Sequence, residues 1–250
     1  MKAFSGTISE VKIEDYGPAS YFRCDGQILG NRIADRQNRS MFPEAYVHCR
    51  MESFKWEIYG EDISLQKELV ERFIGQFFEF QKECNGLYIQ STTRGSGKTM
   101  LACCIGNEII RQHDVSVKFT TMSEYIECVR GSGRSESEKE KAKSIREATL
   151  LIVDDIGATT EDRGWIEDVI FRLVNYRYER HLSTIYTSNV PINELKCGDR
   201  SMERINATSF EVIIPEVNIR REKADQYKRD FYNRIRQKGN TTSLSEKANV

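Results

Sequence analysis

A parallel α/β sheet flanked by helices is the fold this sequence predicts, and three observations predict it. From residue 86 onward, short apolar runs alternate with segments of helical period. One run, "TLLIVDDIG", stays apolar until two aspartates close it, as a strand buried on both faces requires. Between the first run, "GLYIQ", and the helical pattern after it lies "TTRGSGKT", a glycine-bearing loop at a strand-to-helix junction.

The elements follow in order. Residues 1–60 have no clean period, and glycines at 6, 17, 26, 30 and 60 with prolines at 18 and 43 cut them into short pieces. They read as a small N-terminal extension with little regular core. Leu65, Leu69, Phe73 and Phe77 recur at helical spacing through "ISLQKELVERFIGQFFEFQKE" and predict one helix of about five turns. "GLYIQ" is the first strand. After the loop, Leu101, Ala102, Ile105 and Ile109 share one helix face. "VSVKFTT" predicts a strand and "MSEYIECVR" a helix. "GSGRSESEKEKAKSIREA" is a charged connector running into a solvated helix. The strand "TLLIVDDIG" precedes a helix with Ile166, Val169, Ile170 and Val174 on one side. "STIYTSN" and "FEVIIPE" complete five strands. A last helix carries Ala224, Tyr227, Phe231 and Ile235 on one stripe among Lys and Arg, and "GNTTSLSEKANV" reads as a disordered tail. Three units result: an extension over 1–53, the α/β domain over 54–238, and a tail over 239–250.

Composition narrows the classes. Of 250 residues, 37 are Lys or Arg and 38 Asp or Glu, so no global charge marks a nucleic-acid binder, and any basic surface must be local. The seven cysteines form no C-x-x-C pair, which suits free thiols in a reducing cytosol better than a disulfide framework. Cys24, His48 and Cys49 are three conceivable zinc ligands, but the spacing fits no finger or ribbon, and cysteines used as small hydrophobes are the simpler reading. No window approaches the ~20 apolar residues of a membrane span. The expectation is a cytoplasmic protein without a membrane partner.

"TTRGSGKT" reads as a phosphate-binding loop with one relaxed position, because Thr92 stands where the pattern wants its first glycine. Backbone N–H groups must turn inward there, and a helix N-terminus must point at the same charge. Gly95 and Gly97 let the backbone approach. Arg94, Ser96 and Met100 complete the nucleotide-contacting stretch, Lys98 supplies a cation to the β- and γ-phosphates, and Thr99 supplies a hydroxyl to Mg²⁺. Asp154, at a buried strand's end, suits a Mg²⁺-holding carboxylate, and Asp155 suits a base for the attacking water. Asn189 ends another strand and can hydrogen-bond that water or the γ-phosphate. Arg200 and Arg204 sit four apart on one helix face, where an arginine can serve a neighbouring subunit or merely the surface.

Together these elements resemble an AAA+ ATPase, and more narrowly the bacterial helicase loaders of the DnaC/DnaI type and the related IstB transposition ATPases. The resemblance covers roughly Phe54 to Arg220 and rests on "GSGKT", "LLIVDDIG", "NYRYERHLSTIYTSN", "DRSMERI" and "VIIPEVNIRR". Arg177-Tyr178 followed by Thr184-Ile185 and Thr187-Ser188-Asn189 is its most specific part. It implies a P-loop NTPase of AAA+ type that binds ATP and Mg²⁺, with Asn189 as sensor 1, Arg204 as arginine finger and Arg220 as sensor 2. Three departures stand out: Thr92, the Asp155 where many AAA+ proteins carry Glu, and Glu216-Val217-Asn218 in place of a Gly-x-Ser pattern.

The resemblance implies an ATP-dependent loader that binds the replicative DNA helicase and single-stranded DNA and assembles as a homo-oligomer with ATP between subunits. A DNA-facing surface could use Arg134, Lys139, Lys141, Lys143 and Arg146, though their mixed-charge setting equally fits a solvated face. The alternatives are an IstB-like helper on duplex DNA, a nucleotide-dependent switch with little hydrolysis, and a small-molecule P-loop kinase. The kinase leaves Asn189 and Arg204 unexplained.

Overall fold

The computed structural model describes residues 25–157 and 163–246, with side chains described from 32 to 157 and from 164 to 235. Five strands form one parallel sheet: β1 (Gly86–Gln90), β2 (Val117–Thr121), β3 (Leu150–Asp154), β4 (Ser183–Ser188) and β5 (Ser209–Ile213), in the order β2-β3-β4-β1-β5. All five were predicted from apolar runs. β4 lies between β1 and β3, so the loop after β1 and the aspartates after β3 flank the end of β4. A ligand crevice belongs at such a point, outside the carboxyl ends of the strands.

Helix α4 (Lys98–His113) packs on one sheet face with α2 (Ser64–Gly75), in a core that includes Leu101, Ile105, Ile109, Phe73, Leu87, Ile89 and Ile152. The other face is covered by α5 (Met122–Gly131), α6 (Glu136–Arg146), α7 (Arg163–Glu179) and α8 (Asp199–Ala207), around Tyr88, Leu151, Val153, Ile170 and Leu173. α5 opens on a capping box, with Thr121 and Glu124 each accepting from the other's backbone N–H. Ser135 caps α6, so the charged connector becomes the solvated helix its pattern predicts.

Arg177 explains why its stretch is distinctive. It is 1 % exposed and donates to Thr184 Oγ1, to the carbonyls of Arg146 and Ala148, and to that of Ser183. It ties the C-terminal half of α7 to the starts of β3 and β4, and burial drives its pKa down to about 10. Carbonyl oxygens rather than a carboxylate compensate the charge.

The structure differs from the sequence pattern in three regions. Residues 25–60 are more ordered than an extension with little core. They hold α1 (Asp25–Arg39) and three short 3-10 turns, Glu44–Tyr46, Met51–Ser53 and Trp56–Tyr59. Phe42, Phe54, Trp56 and Tyr59 are buried in the same core as α4, though turns this short give no period to read. The five-turn helix is instead two, α2 and α3 (Phe77–Lys82), broken at Gln76, and Leu65 is 76 % exposed rather than packed. α9 (Ile219–Glu246) continues into the segment read as a tail, because Asn, Thr and Ser weaken a helix without ending it. Its stripe of Tyr227, Phe231 and Ile235 faces solvent.

Candidate nucleotide site

The loop between β1 and α4 has the backbone that phosphate binding demands. Gly95 and Gly97 adopt φ of 80° and 103°, a region that side chains disfavour. A Cβ on Gly97 would stand 3.0 Å from the Tyr59 hydroxyl, and one on Gly95 would stand 2.8 Å from Asn218 Oδ1. Both glycines are therefore required by conformation, and the space beside each is tight. Lys98 begins α4 and is 8 % exposed, with Nζ donating to the carbonyls of Ser91 (2.9 Å) and Thr93 (3.1 Å) and to Ser96 Oγ (3.3 Å). Burial lowers its pKa, while Glu216, Asp155 and Asp154 nearby act to keep it charged.

The carboxyl ends of β3 and β4 supply the acidic side. Thr99 Oγ1 lies 2.9 Å from Asp154 Oδ1, and Thr187 Oγ1 donates to the same oxygen at 2.6 Å. Burial pushes the Asp154 carboxyl above its ordinary value despite both hydroxyls. A carboxylate this desolvated beside a threonine hydroxyl suits a divalent cation, whose charge would reverse the penalty. Thr99 and Asp154 therefore fit Mg²⁺. Asp155 turns outward with φ 57°, its N–H donating to Thr187 Oγ1 and its Oδ1 accepting from Asn189 Nδ2 at 2.8 Å.

These groups open on one cavity of about 660 Å³. Its lining brings together Arg94, Gly95, Ser96, Gly97, Lys98, Thr99, Met100, Asp154, Asp155, Asn189 and Arg220, all singled out in the sequence. Arg204 stands apart. On α8 its guanidinium lies 4.9 Å from the ring centre of Phe171 and 5.7 Å from that of Tyr178, and Arg200 stacks on Phe171 at 4.3 Å.

Sequence reasoning missed two parts. The first is the far wall of the cavity, Tyr46, Ser53, Phe54, Lys55 and Ile58, from the segment without a period. With Met100 and Ile219 it offers the apolar surface a purine ring needs. The second is a strap over the phosphate loop. Glu216 accepts from the N–H groups of Thr92 (2.8 Å) and Thr93 (2.5 Å), and Arg220 N–H donates to the Gly95 carbonyl (3.2 Å). Burial acts to raise the Glu216 carboxyl, but the bonds from Thr93 and Thr92 outweigh it and hold it down to about 2. The two departures at Thr92 and Glu216 are thus one contact: the carboxylate secures the loop turn where the first glycine is missing. Of the three conceivable zinc ligands, Cys24 lies outside the described residues. Among those described, no group of three His, Cys, Asp or Glu is placed to hold a metal. No described helix is long and apolar enough to cross a membrane.

Known proteins resemble this chain in sequence and in fold. The replicative helicase loader DnaC of Escherichia coli (strain K12) is 27% identical over 174 residues, covering 67% of this chain and 67% of that protein. The replicative helicase loader DnaI of Bacillus subtilis (strain 168) is 30% identical over 112 residues, 44% of this chain and 35% of that one. The crystal structure of DnaI superposes with a TM-score of 0.59 at 26% identity, over 70% of this chain and 95% of that one. A family model described as IstB-like ATP binding protein matches residues 17–204. The chain is therefore a member of the IstB-like ATP-binding family, a P-loop AAA+ protein of the kind that includes the DnaC and DnaI loaders.

Proposed function

We propose that this protein is an ATP-hydrolysing helicase loader that works as an assembly of identical subunits. One observation carries the reading. The cavity has a complete phosphate end, with Lys98, Thr99, Asp154, Asp155 and Asn189 in place, while Arg204 lies outside it, stacked on Phe171. An arginine so placed can serve a nucleotide only on a neighbouring subunit.

In this reading the loop N–H groups and Lys98 hold the β- and γ-phosphates, and Arg220 meets the γ-phosphate from the start of α9. Thr99 and Asp154 would hold Mg²⁺, which would supply charge neutralisation to the phosphates. Asp155 accepts the proton of the attacking water, and Asn189, bonded to its Oδ1, fixes that carboxylate and the water. Arg204 of the adjoining subunit stabilises the charge gathering on the transferred phosphoryl oxygens. The replicative helicase is the proposed partner, by likeness to the DnaC and DnaI loaders. Single-stranded DNA is the proposed effector and the chain before Phe42 the proposed helicase grip; the boundary expected at residue 54 moves back because Phe42, Tyr46 and Ser53 already belong to the core and cavity of the ATPase unit. Helix α6 is the proposed DNA-facing element, although Lys139 pairs with Glu136 and Arg146 with Glu147 there.

The test is ATP hydrolysis with and without single-stranded and duplex DNA, with Lys98→Ala as the blank. Stimulation by single strands that disappears in Arg204→Ala supports the assembling loader. The family match favours one other reading, a transposition helper, and stimulation by duplex alone would select it. Tight ATP binding without turnover under every condition would leave a nucleotide-dependent switch.

A further inference from the structure

One pair of thiols lies beside the cavity without a part in its chemistry. Among the described residues, Cys84, Cys103, Cys104, Cys128 and Cys197 are buried, and Cys49 alone is half-exposed. The Cys49 sulfur lies 4.0 Å from the Met100 carbonyl oxygen and accepts from Asn107 Nδ2 at 3.6 Å. Met100, Cys104 and Asn107 stand at i, i+4 and i+7 on α4, so they form one row on the helix surface. A side chain touching both ends of that row lies over its middle member. The middle member is Cys104: the Met100 carbonyl points along the helix toward residue 104, so a Cys49 sulfur that meets both that carbonyl and the Asn107 amide lies against Cys104.

We propose that Cys49 and Cys104 form a reversible disulfide on exposure to peroxide, a modification site that ties the base-side wall of the nucleotide cavity to the phosphate-loop helix. The roles of the two sulfurs follow from their surroundings. The neighbouring Cys104 thiol lowers the Cys49 pKa, burial opposes it, and the Asn107 amide lowers it further. Cys104 is shifted upward, first by the neighbouring Cys49 and then by burial. Cys49 is thus the accessible thiolate and Cys104 the buried resolving thiol.

The chemistry balances with hydrogen peroxide as oxidant. The Cys49 thiolate attacks one peroxide oxygen, the O–O bond breaks, and hydroxide leaves and is protonated to water, giving a sulfenic acid. Cys104 sulfur then attacks the Cys49 sulfur, the S–O bond breaks, and the second hydroxide departs as water with the Cys104 proton. Two electrons pass from the thiols to the peroxide, and a thiol reductant reverses the step.

The bond has a mechanical consequence because of where Cys49 lies. The same segment carries Tyr46, Ser53, Phe54, Lys55 and Ile58 to the cavity. Beside its apolar packing it meets α4 through polar contacts that can open: Asn107 Nδ2 to the Tyr46 carbonyl at 3.1 Å, and Arg50 to Glu108 at 3.6 Å. A covalent tie holds this wall against the helix and slows the opening through which nucleotide enters and leaves.

The experiment uses the full-length protein, reduced and then treated with hydrogen peroxide, alkylated, and mapped by mass spectrometry. The expected product is a Cys49–Cys104 linked peptide, absent in Cys49→Ser and Cys104→Ser. In Cys104→Ser a dimedone-trapped sulfenic acid at Cys49 should accumulate instead, and circular dichroism checks that the variant folds. Release of a fluorescent ATP analogue should be roughly tenfold slower from the oxidised protein and recover with reductant. A Cys49 that stays alkylatable, goes on to the sulfinate, or links to Cys103 overturns the site. A bond that forms without slowing release overturns the tie. The consequence rests on nucleotide binding, whose failure reads differently: the reduced protein would not bind the analogue, while the mapping would still report the bond.

Discussion

The two ends of the cavity are built on different principles. The phosphate end hangs from the sheet: Lys98 and Thr99 follow β1, Asp154 ends β3, and Thr187 and Ser188 end β4, all held by parallel ladders. The base end hangs from nothing regular. Phe54, Trp56 and Tyr59 come from short 3-10 turns and the link between them and hold position through each other, with Phe54 and Trp56 edge-to-face at 4.7 Å and the Tyr59 hydroxyl donating to the Ser96 carbonyl at 2.7 Å. Charge chemistry needs fixed atoms, and ladders fix them. A purine ring needs only an apolar slot, which packing can supply and which can open.

The difference should appear as a split between turnover and stability. Lys98→Ala should lower ATP turnover by ~10²–10³, the usual cost of one oxyanion donor, while the melting temperature hardly moves. Its amine contacts two carbonyls and one hydroxyl, with no apolar packing to lose beyond its stem. A melting temperature that fell sharply would break the contrast. Phe54→Ala should do the reverse. It empties a buried aromatic site and should cost ~3 kcal/mol in chemical denaturation, with nucleotide affinity falling and turnover at saturating ATP little changed. Tyr59→Phe sharpens the comparison, because it removes one hydrogen bond to the loop and leaves the packing. A loss of about 1 kcal/mol or less is expected, read as weaker nucleotide binding.

The same split governs what the sequence showed. Strand ends carrying Asp154, Asp155 and Asn189 were legible because apolar runs point to them, and Gly95, Gly97 and Lys98 because one spacing serves one chemistry. Phe42, Phe54, Trp56 and Tyr59 were illegible because their order comes from tertiary contact, and turns of three or four residues have no period. Gly75 marks the break between α2 and α3 at Gln76, but the apolar spacing continues across it and hides the signal. Glu216 read as a departure from a family pattern. Its meaning appeared only when the chain folded back to place it on Thr92 and Thr93, 124 and 123 positions away.

Glu216 supplies the smallest effect and the finest test, because it belongs to the phosphate end yet acts through a segment no ladder holds. Its folded pKa, about 2, lies below the ordinary glutamate value of ~4.3. A carboxyl depressed on folding contributes stability that is fully present above the unfolded value and lost as pH falls through the folded one. The gain is modest because the group is exposed, on the order of 1 kcal/mol after screening. Glu216→Gln should therefore be slightly less stable than the parent at neutral pH. The gap should close between about pH 4 and pH 2, as the parent loses its own charge. Nucleotide affinity should weaken in parallel at neutral pH, since the carboxylate holds the loop turn through Thr92 and Thr93. A gap unchanged across that acid range would show that the strap works by shape rather than charge, and would place Glu216 with the packed wall instead of the phosphate end.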